Sequence, residues 1–202
     1  MNCRNKGTDM ETLPFPNLPF QKREQKPRNK GINYVRAPVM VGQCITDYLE
    51  AYGDLVDIFK LSGKQAAMMS TSSLKEFIST CRKYEVLVAV GNPIMDVALS
   101  GGTEVVDEFL ESAREYGIDI IEISSIARVI DDDDMCRLIE SASKKGLKVI
   151  NEIGVASAHS QVDDKNIFLE RLKRQSRLFT EAGSWKVLLE SEGLTENIDR
   201  ID

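Results

Sequence analysis

The stretch from Gly117 to Gly154, GIDIIEISSIARVIDDDDMCRLIESASKKGLKVINEIG, decides the fold. Its two apolar runs, Ile118–Ile123 and Leu147–Ile153, are rich in β-branched residues and alternate little, which is typical of strands buried on both faces. A helical segment of about a dozen residues separates them, so the unit is βαβ and the strands are parallel. Glu122 and Glu152 lie near the strand C-termini, where α/β folds place their chemistry.

The rest of the chain repeats this pattern. Six strands are predicted, with a helix after each of the first five. The strands are 32–36, 55–61, 86–90, 118–123, 147–153 and 185–189, and the helices are 45–52, 73–84, 104–116, 131–145 and 167–182. The segment 62–71 is expected to be a loop. Gly91-Asn92-Pro93 and Gly101-Gly102 are expected to be turns.

Length and spacing leave two architectures open. Strands that recur about every 30 residues indicate repeated βα units. A complete (β/α)₈ barrel typically needs about 250 residues, whereas this chain has 202. An open doubly wound sheet fits that length, because a barrel without its last two strands exposes two edges. Strand order distinguishes them, since only the doubly wound sheet reverses its order at a switch point.

Composition predicts one domain with flexible ends. We expect a proline-rich N-terminal arm over 1–30, a domain over 31–193 and a frayed tail over 194–202. A net charge of −6, with no large basic cluster apart from residues 22–30, disfavours nucleic acid as a partner. No apolar run is long enough for a membrane span. The four cysteines form no CxxC pair, which is typical of reduced thiols and indicates a cytoplasmic protein.

Four ionisable side chains fall at or beside strand C-termini: Lys60, Glu122, Glu152 and Glu190. In a barrel they would converge, and the three glutamates could hold Mg²⁺, a hard cation that binds few protein oxygens and keeps waters for a substrate. Lys60 could bind an anion or transfer a proton. The alternative is that one or two of these residues form salt bridges at the edge of the sheet.

Other chemistry-bearing residues have simpler interpretations. The only histidine, His159, lies in a polar loop and is interpreted as solvated. The acidic run 131–134 is interpreted as the start of a helix, where the positive end of the helix dipole stabilises negative charge. Gly63-Lys64 could cradle a phosphate, but the segment is not a P-loop, so a turn is the simpler interpretation.

Several motifs resemble the phosphosulfolactate synthase family, which includes plant heat-stress-associated relatives. The resemblance covers residues 26 to 193 and agrees in the order and spacing of its motifs. They are KPRNKGI (26–32), GDLVDIFKL (53–61), YGIDIIEIS (116–124), KGLKVINEIG (145–154) and EAGSWKVLLES (181–191).

The resemblance implies a TIM-type (β/α) barrel, here incomplete, with about six βα units. It implies a carbon–sulfur lyase that adds sulfite to phosphoenolpyruvate with Mg²⁺, as in coenzyme M biosynthesis. By that resemblance Lys60, Glu122 and Glu152 are assigned catalytic roles, and Glu122, Glu152 and Glu190 are assigned as metal ligands. Lys64 and Gly91, in the loops after strands 2 and 3, are assigned to the small anionic substrate.

Departures from the family motifs keep a second function open. Ala37-Pro38-Val39 replaces the family's Asp-Lys-Gly, and Arg36-Ala37-Pro38 is more similar to the stress-associated branch. An acidic residue, Glu192, stands near the position of a family arginine, which disfavours phosphate binding. The alternative is a non-catalytic protein that acts in stress response through protein interactions. Open barrel edges also predict self-association into a homo-oligomer.

Overall fold

Six parallel strands lie side by side in chain order, β1-β2-β3-β4-β5-β6, in the computed structural model. The structure describes residues 14–15, 17–19, 21, 23–37, 41–125, 127–153 and 165–189. The order does not reverse, so the sheet is a half-barrel, an incomplete (β/α) barrel. The fold predicted from the family resemblance is confirmed, and the doubly wound alternative is wrong.

The strands are short and are connected by helices. The strands are β1 (Tyr34–Ala37), β2 (Ile58–Leu61), β3 (Leu87–Val90), β4 (Ile120–Ile123), β5 (Lys148–Ile153) and β6 (Lys186–Leu189). The helices are α1 (Gln43–Tyr52), α2 (Gln65–Met68), α3 (Thr71–Lys83), α4 (Asn92–Ser100), α5 (Thr103–Tyr116), α6 (Asp132–Lys144) and α7 (Lys165–Glu181). Each strand lies within or overlaps its predicted segment.

Two helices correct the sequence interpretation. The expected loop 62–71 contains the short helix α2, and the expected turn at Gly91-Asn92-Pro93 begins the nine-residue helix α4. Proline is well suited to a first helical turn because its missing N–H would be unpaired there and its φ is already helical. Pro93 therefore starts a helix instead of only ending a strand.

Alternation along the strands separates two apolar layers. Side chains that face the helices form the main core, which includes Phe59, Val88, Ile121 and Val149. The concave inner face carries a small layer made of Ile58, Ala89, Ile120 and Ile150. Because side chains alternate with period two, the next inward positions toward the strand C-termini are 60, 91, 122 and 152. The fold therefore brings the predicted site residues to one edge, here called the rim.

The last part of the predicted arm packs against the opposite end of the sheet. Arg28 is only 7% exposed, and its guanidinium donates to Asp54 and to Asp57 at 2.9 Å each. Burial alone would raise the pKa of Asp57, but hydrogen bonds from the Asn33 amide, Arg28 and Arg23 lower it below its usual value. The division into arm, domain and tail stays a prediction, because most of the terminal residues lie outside the described ranges.

None of the described helices combines the length and the apolar character that a membrane span needs.

We expect Arg28→Met to lower the free energy of unfolding by about 2 kcal/mol, because it removes the buried guanidinium that pairs with both Asp54 and Asp57 and leaves Arg23 as the remaining cation beside Asp57. Urea denaturation followed by circular dichroism measures the change. Lys30→Met, at an exposed position in the same segment, is the control and should cost less than about 0.5 kcal/mol. Equal midpoints for the two variants would contradict the anchoring role of Arg28.

Candidate functional site

A buried ion pair crosses the inner face at the rim. Lys60 on β2 and Glu122 on β4 lie two strands apart, and the Lys60 Nζ to Glu122 Oε1 distance is 2.5 Å. The Glu122 side chain is fully buried, whereas that of Lys60 keeps 19% of its surface exposed. Lys60 is therefore the member of the pair that a ligand can reach from solvent.

Gly91 makes this crossing possible. It follows β3, the strand between the two charged partners. A Cβ atom at Gly91 would lie 2.6 Å from Lys60 Cε and 3.6 Å from Glu122 Oε1. The backbone φ of −100° is open to any residue, so the constraint is space and not conformation. The structure thus places Gly91, predicted to bind substrate, directly against the Lys60 side chain.

Tyr34 completes the surroundings of Glu122. Its hydroxyl donates to Glu122 Oε2 at 2.7 Å, and the Lys60 ammonium lies 5.8 Å from the centre of its ring. Burial, followed by the charges of Glu122 and Glu152, raises the pKa of Tyr34. Tyr34 therefore remains protonated and acts as a donor. Sequence reasoning missed it, although its inward position on β1 follows from strand alternation.

Glu152 on β5 forms a second polar group at the rim. Ser124 Oγ donates to Glu152 Oε2 at 2.9 Å, and Asn92 Nδ2 donates to the same oxygen. Asn92 is 4% exposed, and its Oδ1 is buried without a hydrogen-bond partner. Glu152 Oε1 makes no hydrogen bond to a described residue. Asn92 and Ser124 were not predicted, because only the start of α4 and the end of β4 bring them together.

These contacts decide which oxygens could hold a cation. Both oxygens of Glu122 are engaged, by Lys60 and by Tyr34. Among the described residues, no donor engages Glu152 Oε1 or the buried Asn92 Oδ1, and carboxylate and amide oxygens suit a hard cation such as Mg²⁺. Within the ranges that the structure describes, no group of three His, Cys, Asp or Glu side chains is placed to hold a metal.

The remaining predicted residues lie elsewhere or outside the described ranges. Lys64 lines a cavity beside the ends of β1 and β2, together with Arg36. Glu190 and His159 lie outside the described residues. In the acidic run, Asp132–Asp134 lie in the first turn of α6. Asp132 pairs there with Arg174 of α7, so the run also links two helices.

Fold and rim together define the class, a (β/α)-barrel-type protein with a lysine–glutamate pair at its strand C-termini. The sequence profile of the (2R)-phospho-3-sulfolactate synthase (ComA) family matches residues 21–202, and the chain belongs to this family.

Relatives within the family are similar at low identity. Phosphosulfolactate synthase of Methanothermobacter thermautotrophicus is 28% identical over 180 residues, which cover 89% of this chain and 68% of the relative. That of Methanocaldococcus jannaschii is 24% identical, over 86% of this chain and 67% of the relative. Protein HEAT-STRESS-ASSOCIATED 32 of Arabidopsis thaliana is 23% identical, over 72% of this chain and 52% of the relative. The chain therefore spans about half of the plant protein.

A solved structure supports the architecture. The carboxyl transferase domain of Rhizobium etli pyruvate carboxylase, solved with pyruvate, superposes with a TM-score of 0.55 at 13% identity. The match covers 73% of this chain and 26% of that chain. At this identity the likeness shows the fold alone.

We expect Gly91→Ala to destabilise the protein by about 1–3 kcal/mol, because the new methyl group displaces Lys60 from Glu122. Urea denaturation measures the loss. In a Lys60→Ala background the colliding Cε atom is gone, so the same glycine substitution should cost less than about 1 kcal/mol. An equal cost in both backgrounds would contradict the role given to Gly91.

Proposed function

We propose that the chain catalyses the addition of sulfite to phosphoenolpyruvate, or a related reaction of an enol acid. In this reaction the sulfite sulfur bonds to C3, the C2–C3 double bond opens, and a proton is added at C2. Family membership supports the reaction type. The observation that carries the proposal is a lysine ammonium held at the rim by a fully buried carboxylate.

Lys60 is the residue that we propose as the proton donor to C2. Its partly exposed side chain lies on the inner face, where a bound enol acid would lie, and general acid catalysis contributes about 10²–10⁴-fold. Glu122 holds that ammonium in place, and Tyr34 fixes the other carboxylate oxygen. Glu122 and Tyr34 are then positioning residues, and Glu122 acts through Lys60.

The proposal also includes Mg²⁺, bound at the second polar group of the rim, which is the one around Glu152. Glu152 and Asn92 offer the oxygens that would hold it, and Glu190 stays a predicted ligand outside the described residues. When bound, the cation supplies charge neutralisation for the substrate carboxylate as negative charge develops there. Ser124 and Asn92 keep Glu152 oriented toward the rim.

The proposed partners are small anions, and nucleic acid is not among them. Self-association also remains a proposal. Among the described strands, β1 and β6 each pair with one neighbour, and Leu189 on β6 is 51% exposed. A cytoplasmic location stays a prediction.

A second candidate function is a non-catalytic role through protein interactions in stress response. It is favoured by the closed arrangement in which Tyr34, Lys60 and Glu122 satisfy one another without a ligand. The likeness to HEAT-STRESS-ASSOCIATED 32 is consistent with this role. Turnover distinguishes the two candidates.

Purified protein with phosphoenolpyruvate, sulfite and Mg²⁺ should produce a new phosphate-ester signal in phosphorus NMR. Lys60→Met should lower the rate by at least about 100-fold, because the proton donor is lost. Tyr34→Phe keeps the ion pair and should lower it by less than about tenfold. Lys83→Gln, at an exposed position on α3, is the control. No product from wild-type protein that circular dichroism shows to be folded would favour the non-catalytic function.

Millimolar Mg²⁺ should raise the melting temperature of the wild-type protein by about 4 °C, since a ligand that binds only the folded state stabilises it. Glu152→Gln keeps the shape and an acceptor for Ser124 but removes the charge, so it should abolish the shift. Glu76→Gln, at an exposed position on α3, should keep it. If wild type and Glu152→Gln respond equally to Mg²⁺, the cation site is wrong.

A further inference from the structure

A cationic cavity of about 450 Å³ lies at the rim between the ends of β1 and β2. Arg36 on β1, the segment Ser62-Gly63-Lys64 after β2 and Gln65 of α2 contribute its polar lining. Val41, Leu61, Met68 and Met69 contribute apolar walls. The described lining residues include two cations and no carboxylate, which makes the cavity unlike the Lys60–Glu122 pair.

The two cations of this cavity form no ion pair in the part of the chain that the structure describes. Among the residues that the structure describes, no Asp or Glu forms an ion pair with Arg36 or Lys64. Arg36 Nε donates to Ser62 Oγ at 2.8 Å, which fixes the plane of the guanidinium. Its two terminal amino groups then remain as donors, and a guanidinium matches the geometry of phosphate oxygens. Ser62 is buried, and its hydroxyl proton is a further donor.

Arg36, which lines the cavity, is the neighbour of the proposed proton donor Lys60, which is not itself one of the described lining residues. Arg36 and Lys60 are register partners on adjacent parallel strands, so they lie on the same face about 4.8 Å apart along the hydrogen-bonding direction. An anion held by Arg36 and Lys64 would place the rest of a small molecule over Lys60. On the other side of Lys60, along the rim, Glu122 on β4 comes first and Glu152 on β5 follows.

We propose that Arg36, Ser62 and Lys64 form the subsite for a phosphate monoester dianion. This inference rests on the proposed function, because it assigns one end of that substrate to one side of the site. The phosphate lies at the β1–β2 side, the reacting carbons lie over Lys60, and the carboxylate end points toward β4 and β5. Sequence reasoning found Lys64 but not Arg36, whose partner Ser62 lies directly after the neighbouring strand β2.

Calorimetric titration at fixed ionic strength, without sulfite, tests the subsite. Wild-type protein should bind phosphoenolpyruvate, and inorganic phosphate should compete with it. Arg36→Gln should weaken phosphoenolpyruvate binding at least tenfold, since charge-assisted bonds to phosphate are lost. Lys64→Gln should weaken it about threefold or more. Arg177→Gln, which removes an exposed arginine of α7, is the charge-matched control and should change the affinity by less than twofold.

Pyruvate, which lacks the phosphate, separates loss of the subsite from general damage. Arg36→Gln should leave the weak binding of pyruvate unchanged. The inference is overturned if Arg36→Gln binds phosphoenolpyruvate as wild type does, if it loses pyruvate and phosphoenolpyruvate equally, or if wild type binds neither phosphoenolpyruvate nor inorganic phosphate.

The subsite and the proposed function can be refuted independently of each other. Wild-type protein that binds phosphoenolpyruvate through Arg36 but makes no product with sulfite would refute the proposed function and support the subsite. Turnover that survives in Arg36→Gln with unchanged affinity would support the function and refute the subsite.

Discussion

The ion pair between Lys60 and Glu122 is the interaction on which the site depends. A carboxylate without solvent exposure costs several kcal/mol unless a cation and hydrogen bonds compensate its charge. Lys60 supplies the cation from β2, Tyr34 supplies the hydrogen bond from β1, and the small residue Gly91 leaves the path across β3 open. Residues on, or directly after, four successive strands thus surround one buried charge. The same arrangement holds the partly exposed Lys60 side chain in a fixed position at the rim.

The six strands follow from the sequence, because apolar β-branched runs recur at regular spacing. Their order was predicted only through the family resemblance, since length and spacing also fit a doubly wound sheet. Two features did not follow. The helix that begins at Asn92 was not predicted, because Pro93 is as typical of a chain reversal as of the first turn of a helix. Arg28 was assigned to a loose arm because its neighbourhood is polar and rich in proline. Its partners Asp54 and Asp57 lie 26 and 29 positions further along the chain, and local composition carries no signal for contacts at that separation.

The site residues at the C-terminal ends of strands could be predicted from the sequence, because the strands themselves could. Lys60, Glu122 and Glu152 lie inward at the rim because alternation and strand register place them there. Which groups touch them was not predictable, because side-chain reach across strands depends on the space left by the strand between. Tyr34 and Asn92 were missed for that reason. Arg36, which donates to Ser62, lies directly before Ala37-Pro38, where the chain departs from the family's charged motif.

A double-mutant cycle on the central pair tests this account most directly. Lys60→Met, Glu122→Gln and the double variant are compared with wild type by urea denaturation at neutral pH. The account predicts a coupling free energy of at least about 2 kcal/mol, because each single change leaves the other group buried or unpaired and the double change removes both. Costs that add to within about 0.5 kcal/mol would contradict it and would reduce Lys60 and Glu122 to independent residues of the rim.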